Sequence, residues 1–320
     1  MKKFAYIFPG QGSQNIEMGK SFYENSSFAK EMFHQASERL QLDFAKLLFE
    51  GKCESASSGE CSLEQTQFTQ PAILLVSCIA HALFKQENPS LTASYALGHS
   101  LGEFSALVSA GAIDLIDAVE LVHKRGFYMK EACEKLGSAE AGMMAVLGVK
   151  DDSALEDLTI SLREKGKKIW CANYNNDGQM VLAGIKTDLE SSIDEIKSLG
   201  AKRAILLPMS VASHCPLLED ASDKLQGLLQ ETLKDEFTFP IISNATAKPY
   251  QSKEEAIALL TKQLQFPVLY KQSVSSLNGI DGFIEFGHGS VLKGINKKIT
   301  DIPTENVNSY ESLQTIKEFL

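Results

Sequence analysis

The chain has 320 residues, 44% hydrophobic and 22% charged, with 17 Phe. This excludes an intrinsically disordered chain and provides a core for one large domain, or a large one with a small one attached. Its 31 Lys and Arg against 41 Asp and Glu leave a net charge of −10 that no basic run offsets, so general nucleic-acid binding is disfavoured.

Residues 3–8 read as a short apolar strand running into a glycine-rich turn at 9–13. That apolar run is too short for the core of a signal peptide, which needs about seven to fifteen residues. Pro71 fits a first helical turn and opens a buried helix to Phe84; interrupted by Ser77 and His81 and stopped at Lys85, it falls short of the roughly 20 residues of a membrane span. A second strand at 94–97 leads through Gly98 to a helix from about Leu101, and 115–136 is a longer helix ending at Gly137. Strands alternating with helices predict an α/β fold with a parallel sheet.

The texture then changes. Strand 143–149, helix 152–162, strands 168–174 and 180–185, helix 188–199 and strand 203–207 give the order βαββαβ, with 175–178 turning between the middle strands. This is the ferredoxin-like unit, and it predicts a small subdomain at 138–209 inserted in a larger one formed by 1–137 and 210–320. The α/β texture returns with a strand at 240–243, a helix opened by the capping box of Ser252 and Glu255, and a helix at Pro267. A strand at 282–287 and a helix from Ser290 complete it. The six cysteines, Cys53, Cys61, Cys78, Cys133, Cys171 and Cys215, lack CxxC spacing and read as reduced thiols of a cytoplasmic protein, forming no metal site and no disulfide framework.

Residues 98–102 form a GxSxG string where strand meets helix. The glycines permit a tight turn that projects the Ser100 hydroxyl, and the helix N-terminus presents the Leu101 N–H to a developing oxyanion. The plain alternative is a glycine-rich connection with a serine cap. A nucleophilic serine needs a base, and two histidines lie in loops after strands: His214, before Pro216, and His288, between two glycines. Residue types leave both open.

Arg125 falls on the apolar stripe Ala118, Val122, Met129, Ala132, Leu136 of its helix, so an arginine faces the interior. An anion is expected there: an internal Asp or Glu, or the carboxylate of a substrate, which its planar fork suits. The turn after the first strand has neither GxGxxG nor a GK[ST] ending, which disfavours a nucleotide loop. Its glycines let a backbone approach a ligand, so the Gln11 N–H is a second candidate oxyanion donor, beside the plain reading of a functionless turn.

The strings FPGQGSQ at 8–14, GHSLGE at 98–103, Arg125 with Met129 a turn later, NYNNDGQMVLAG at 173–184, SVASH at 210–214 and FGHGSVL at 286–292 occur in this order over nearly the whole chain. The chain thereby resembles the malonyl-CoA:acyl carrier protein transacylases, the acyltransferases of bacterial fatty acid synthesis. The resemblance implies a hydrolase-like parallel-sheet subdomain with the ferredoxin-like insert, and malonyl transfer by a ping-pong route through a seryl ester.

It further implies Ser100 as nucleophile and His214 as base, with the backbone N–H groups of Gln11 and Leu101 as the oxyanion hole. Arg125 becomes the clamp on the malonyl carboxylate, with Met129 and Asn175 beside the substrate. Gln263 orients the histidine through its main-chain carbonyl, in place of an acidic third member. The expected partners are malonyl-CoA and, transiently, acyl carrier protein, with no metal, no cofactor beyond the coenzyme A thioester that is the substrate, no nucleic acid and no membrane. Two positions depart from the pattern: His288 stands where relatives commonly have Pro, and 211–214 differs from the HAFH of malonyl-selective polyketide acyltransferases. A serine hydrolase or thioesterase, and an acyltransferase with a methylmalonyl or other acyl preference, stand as alternatives.

Overall fold

Phe4–Phe8 is buried at every position, as a strand covered on both faces must be. The computed structural model describes residues 2–55, 59–137, 139–209 and 211–320; Ser138 and Ser210, at the expected edges of the insert, lie outside the described residues. The strands are β1 (Phe4–Phe8), β2 (Lys52–Ser55), β3 (Gly59–Ser62), β4 (Tyr95–Gly98), β5 (Ala141–Leu147) and β6 (Ile169–Asn176). They continue with β7 (Gln179–Ile185), β8 (Arg203–Leu206), β9 (Ile241–Ile242), β10 (Pro249–Tyr250), β11 (Gly282–Phe286) and β12 (Thr304–Val307).

Six strands make one sheet in the order β10-β9-β4-β1-β11-β12, parallel throughout except for β10. β1 lies between β4 and β11, so the chain fills one side of it first and returns on the other. In such sheets ligands bind outside the carboxyl ends of the strands where the order reverses. The FPGQGSQ, GHSLGE and FGHGSVL strings follow β1, β4 and β11, so the topology gathers all three at that edge.

The second sheet has the order β6-β7-β5-β8 with antiparallel neighbours throughout, the ferredoxin-like arrangement. Its Asp152–Glu164 helix and two shorter ones cover a separate core around Met144, Leu155, Leu182 and Ile196. Main-chain hydrogen bonds stitch this sheet to the larger unit: Tyr174 N–H donates to Val268 O at 2.9 Å, and Val268 N–H to Ala172 O at 2.8 Å. Lys271 adds ion pairs to Asp152 and Asp177, each at 2.7 Å.

Several elements differ from expectation for local reasons. The buried helix starts at Thr66, not Pro71, and runs 22 residues to Glu87. Pro71 cannot donate to the Gln67 carbonyl four residues back, and His123 Nδ1 takes that acceptor at 2.7 Å, so the proline is tolerated inside. This helix is long and apolar enough to cross a membrane by length and composition, and it is almost wholly buried in the fold. The single helix expected at 188–199 is two, Lys186–Glu190 and Ile193–Ser198. At the break the Ser192 hydroxyl donates to Asp188 O at 2.8 Å, a side-chain bond that competes with helix continuation. The helix expected at Pro267 starts at Tyr270. Three helices between Lys20 and Glu50, the β2–β3 hairpin, the Glu219–Thr232 helix and β12 went unread.

Candidate active site

Gly98 closes β4 and Gly102 opens the Gly102–Ala110 helix. A Cβ on Gly98 would lie 1.9 Å from the Gly102 carbonyl carbon, and one on Gly102 would lie 2.0 Å from Phe8 O. Only glycine permits strand and helix to touch this closely. Ser100 between them has φ +52, a left-handed value that costs a side-chain-bearing residue about 1–3 kcal/mol. Asn244 braces this turn: its Oδ1 accepts from Ser100 N–H and its Nδ2 donates to Gly98 O, both at 2.7 Å.

His214 is 2% exposed and also has a positive φ, +60. Its Nδ1 lies 2.7 Å from the Gln263 main-chain carbonyl and its Nε2 lies 2.8 Å from Ser100 Oγ. A carbonyl only accepts, so the ring proton sits on Nδ1 and the Nε2 lone pair faces the serine hydroxyl. Burial, reinforced by the Arg125 charge, pushes this imidazole down to about 3, so it is neutral and able to accept a proton throughout the neutral range.

Arg125 is 1% exposed in the Leu115–Glu134 helix, stacked over the Phe104 ring with 5.2 Å between guanidinium carbon and ring centroid. Nη1 donates to Gln70 Oε1 at 2.7 Å, and Nη2 to Gln263 Oε1 at 3.0 Å and to Ser100 Oγ at 3.2 Å. All three acceptors are neutral, and Nε has no partner among the described residues. Burial lowers the guanidinium to about 9, with Glu103 pulling the other way. The internal carboxylate partner that the sequence allowed is therefore not in contact with it. Glu103 acts on Arg125 through space, and the Gln263 amide bridges the two by hydrogen bonds.

A cavity of about 190 Å³ opens beside these groups. Gln11 and Leu101 both line it. A Cβ on Gly10 would fall 2.2 Å from His99 O, which shows how closely the first turn packs against the Ser100 turn. Thr66 Oγ1 donates to Gln11 Oε1 at 2.9 Å, fixing that side chain. Met129 and Asn175 line the same cavity, the latter 2.8 Å from His99 Nε2. Gln263 is fully buried behind it. His288 is partly buried in the loop after β11 and does not line the cavity. Ser210, the first residue of the SVASH string, lies outside the described residues.

The sequence reading passed over four residues. Glu103 and Phe104 end and follow the GHSLGE string, so their place on the turn was visible. Gln70 and Asn244 carry no local signal, because only the packing of distant segments brings them here. Among the described residues no group of three or more His, Cys, Asp or Glu could hold a metal ion.

A mostly parallel sheet carries a glycine-bounded serine against a neutral histidine, beneath a ferredoxin-like sheet and beside a buried arginine, a geometry suited to acyl transfer. The acyl transferase domain family model matches residues 5–318. The chain belongs to this family, and within it to the malonyl-CoA:acyl carrier protein transacylases. It is 38% identical over 325 residues to the malonyl CoA-acyl carrier protein transacylase of Bacillus subtilis, covering 99% of this chain and 98% of that one. The crystal structure of the Helicobacter pylori malonyl-CoA:acyl carrier protein transacylase superposes with a TM-score of 0.91 at 46% identity, covering 100% of this chain and 98% of that one. A malonyl-transacylase solved in complex with its type II polyketide synthase acyl-carrier protein gives 0.89 at 34% identity, covering 99% and 100%.

Proposed function

We propose that this enzyme transfers a malonyl group from malonyl-CoA to the phosphopantetheine thiol of acyl carrier protein, in the cytoplasm, supplying fatty acid synthesis. The observation that carries the reading is the convergence on one hydroxyl: Ser100 Oγ touches both the His214 lone pair and the Arg125 fork. Nucleophile, base and carboxylate receptor meet within hydrogen-bond reach, which a hydrolase acting on uncharged esters has no reason to assemble. Residues 138–209 act as the small subdomain and 1–137 with 210–320 as the catalytic one.

Ser100 gives its proton to His214 Nε2 as Oγ attacks the thioester carbonyl. The N–H groups of Gln11 and Leu101 receive the oxyanion, which collapses to a malonyl-serine ester while His214 protonates the departing coenzyme A thiolate. In the second half the carrier thiol gives its proton to His214 and attacks the ester, and Ser100 leaves with that proton. The carboxylate pairs with Arg125 throughout, beside Met129 and Asn175. The test is intact-mass measurement after mixing the enzyme with malonyl-CoA, acetyl-CoA or methylmalonyl-CoA; a dominant malonyl adduct on Ser100 that moves to the carrier is expected. Free malonate as the sole product would make the enzyme a thioesterase.

The histidine assignment has a measurable signature. His214→Ala loses transfer by about 10⁴-fold or more, whereas His288→Ala stays within about twofold of the parent. Because burial holds His214 far below the ordinary 6.5, acylation of Ser100 by acetyl-CoA, which has no carboxylate for the Arg125 fork, keeps its rate in stopped-flow as pH falls from 7 to 5. A rate halved near pH 6.5 would mean an unperturbed imidazole is the base.

Carrier docking must overcome the general repulsion between two acidic proteins. Val291, Leu292 and Ile295 of the Val291–Asn296 helix line the cavity, and lysines follow at the end of the same helix. Lys293 is paired to Glu305 at 2.7 Å, so the exposed Lys297 and Lys298 are the pair for an acidic partner. Reversing both to Glu raises the apparent KM for the carrier, most strongly at low salt, and leaves malonylation by malonyl-CoA unchanged. Carrier kinetics unaltered at low ionic strength would move docking to Lys202 and Arg203.

A further inference from the structure

Glu103 has no part in the steps above, yet it is a fully buried carboxylate within the site's hydrogen-bond network. Its Oε2 accepts from Asn244 N–H at 3.0 Å and from Gln263 Nε2 at 2.9 Å, and its Oε1 from the Tyr250 hydroxyl at 3.0 Å. We propose that Glu103 is a positioning residue for acyl selection: it fixes which way round the Gln263 amide sits, and through that amide it holds the Arg125 fork. The inference rests on the reading of Arg125 as the carboxylate clamp.

The two ends of an amide have nearly the same shape, so neighbours decide its orientation. Gln263 Nε2 faces only acceptors: Ser100 O at 2.9 Å, Glu103 Oε2 at 2.9 Å and Asn244 Oδ1 at 3.4 Å. Of these only Glu103 can ionise, and in its ionised form it gives the strongest of the bonds. With the amino end held there, Oε1 points at Arg125 Nη2. A flipped amide would set an NH₂ against the guanidinium, donor against donor, and push the fork off its place between Gln70 and Ser100 Oγ. The main-chain carbonyl of Gln263 would still hold His214, so the hydroxyl would remain reactive while the fork lost its aim. Burial pushes the Glu103 carboxyl up to about 7 against the pull of its donors, consistent with a group kept dry for its hydrogen bonds.

Two substitutions of similar size separate acceptor from bulk. Glu103→Gln can keep its Oε1 toward Asn244 and Gln263 and turn its NH₂ to the Tyr250 oxygen, so it preserves the acceptor; Glu103→Leu removes it. The readout is the ratio of malonyl to acetyl acylation rates on Ser100, each normalised to the protein that acetyl-CoA labels at completion, so misfolded chains do not count. Glu103→Leu is expected to lower the ratio about tenfold and Glu103→Gln to return it to within about twofold of the parent. A parental ratio in Glu103→Leu overturns the proposal, and so does a ratio in Glu103→Gln as low as that of Glu103→Leu.

Arg125→Ala in the same assay distinguishes the layers. If it loses the preference while Glu103→Leu keeps it, the role of Glu103 fails alone; if it keeps the preference, the clamp fails and the route from Glu103 to selection with it. Should Glu103→Leu not fold, Gln263→Leu removes the amide while retaining the main-chain carbonyl. The same loss of ratio is expected, and an unchanged ratio overturns the proposal.

Discussion

Ser100→Ala is expected to melt like the parent and to form no acyl-enzyme detectable by intact mass with any acyl-CoA. Among the described residues Ser100 Oγ is the cavity hydroxyl that bonds His214 Nε2, and loss of a nucleophile so placed costs on the order of 10⁶ in rate. Stability changes by no more than about 1 kcal/mol, because the removed hydroxyl sits in a partly exposed turn and its lost hydrogen bonds are each worth roughly that much before water replaces them. The backbone gives an internal control. At φ +52 a glycine is relaxed, so Ser100→Gly, equally inactive, should resist urea better than Ser100→Ala. A large fall in the unfolding midpoint of Ser100→Ala would instead make Ser100 a structural cap.

Arg125→Ala is expected to lower malonyl acylation about tenfold to a hundredfold, while acetyl acylation falls less or rises. In the resting site the fork rests on two neutral amides and a hydroxyl. A substrate carboxylate replaces such contacts with a charge-assisted, bidentate one worth roughly 1.5–3 kcal/mol. Acetyl has no carboxylate to gain from this, and without the arginine His214 escapes a neighbouring positive charge that opposes its protonation. Steady-state rates for both thioesters, with melting curves beside them, decide the matter. Equal losses for the two acyl groups together with a lowered melting temperature would make Arg125 a packing residue.

What the sequence showed and what it hid divide along a physical line. β1, the glycine-bounded turn at Ser100 and the βαββαβ order of the small sheet are written in local pattern, since apolar runs, tight-turn glycines and alternation act over a few residues. The start of the Thr66–Glu87 helix was misread because the acceptor freed by Pro71 is taken by His123, on another helix. The Arg125 position on an apolar stripe was legible, and what faced it was not. Gln70 lies 55 residues away and Gln263 lies 138 away, and only the fold brings them to the guanidinium. The choice between His214 and His288 was likewise a matter of distance, which residue types do not encode. Ser210 and the Ser138 edge of the insert stay outside what the structure describes.

The main-chain bonds between β6 and Val268 bear on how a substrate gains entry. Those amides pair the roof of the cavity with the chain segment that leaves the His214 support, so roof and floor are knitted together near the reaction centre. Moving the two apart at this point would require breaking those backbone pairs. Amide exchange at Tyr174 and Val268 should accordingly be as slow as in the centre of the parallel sheet.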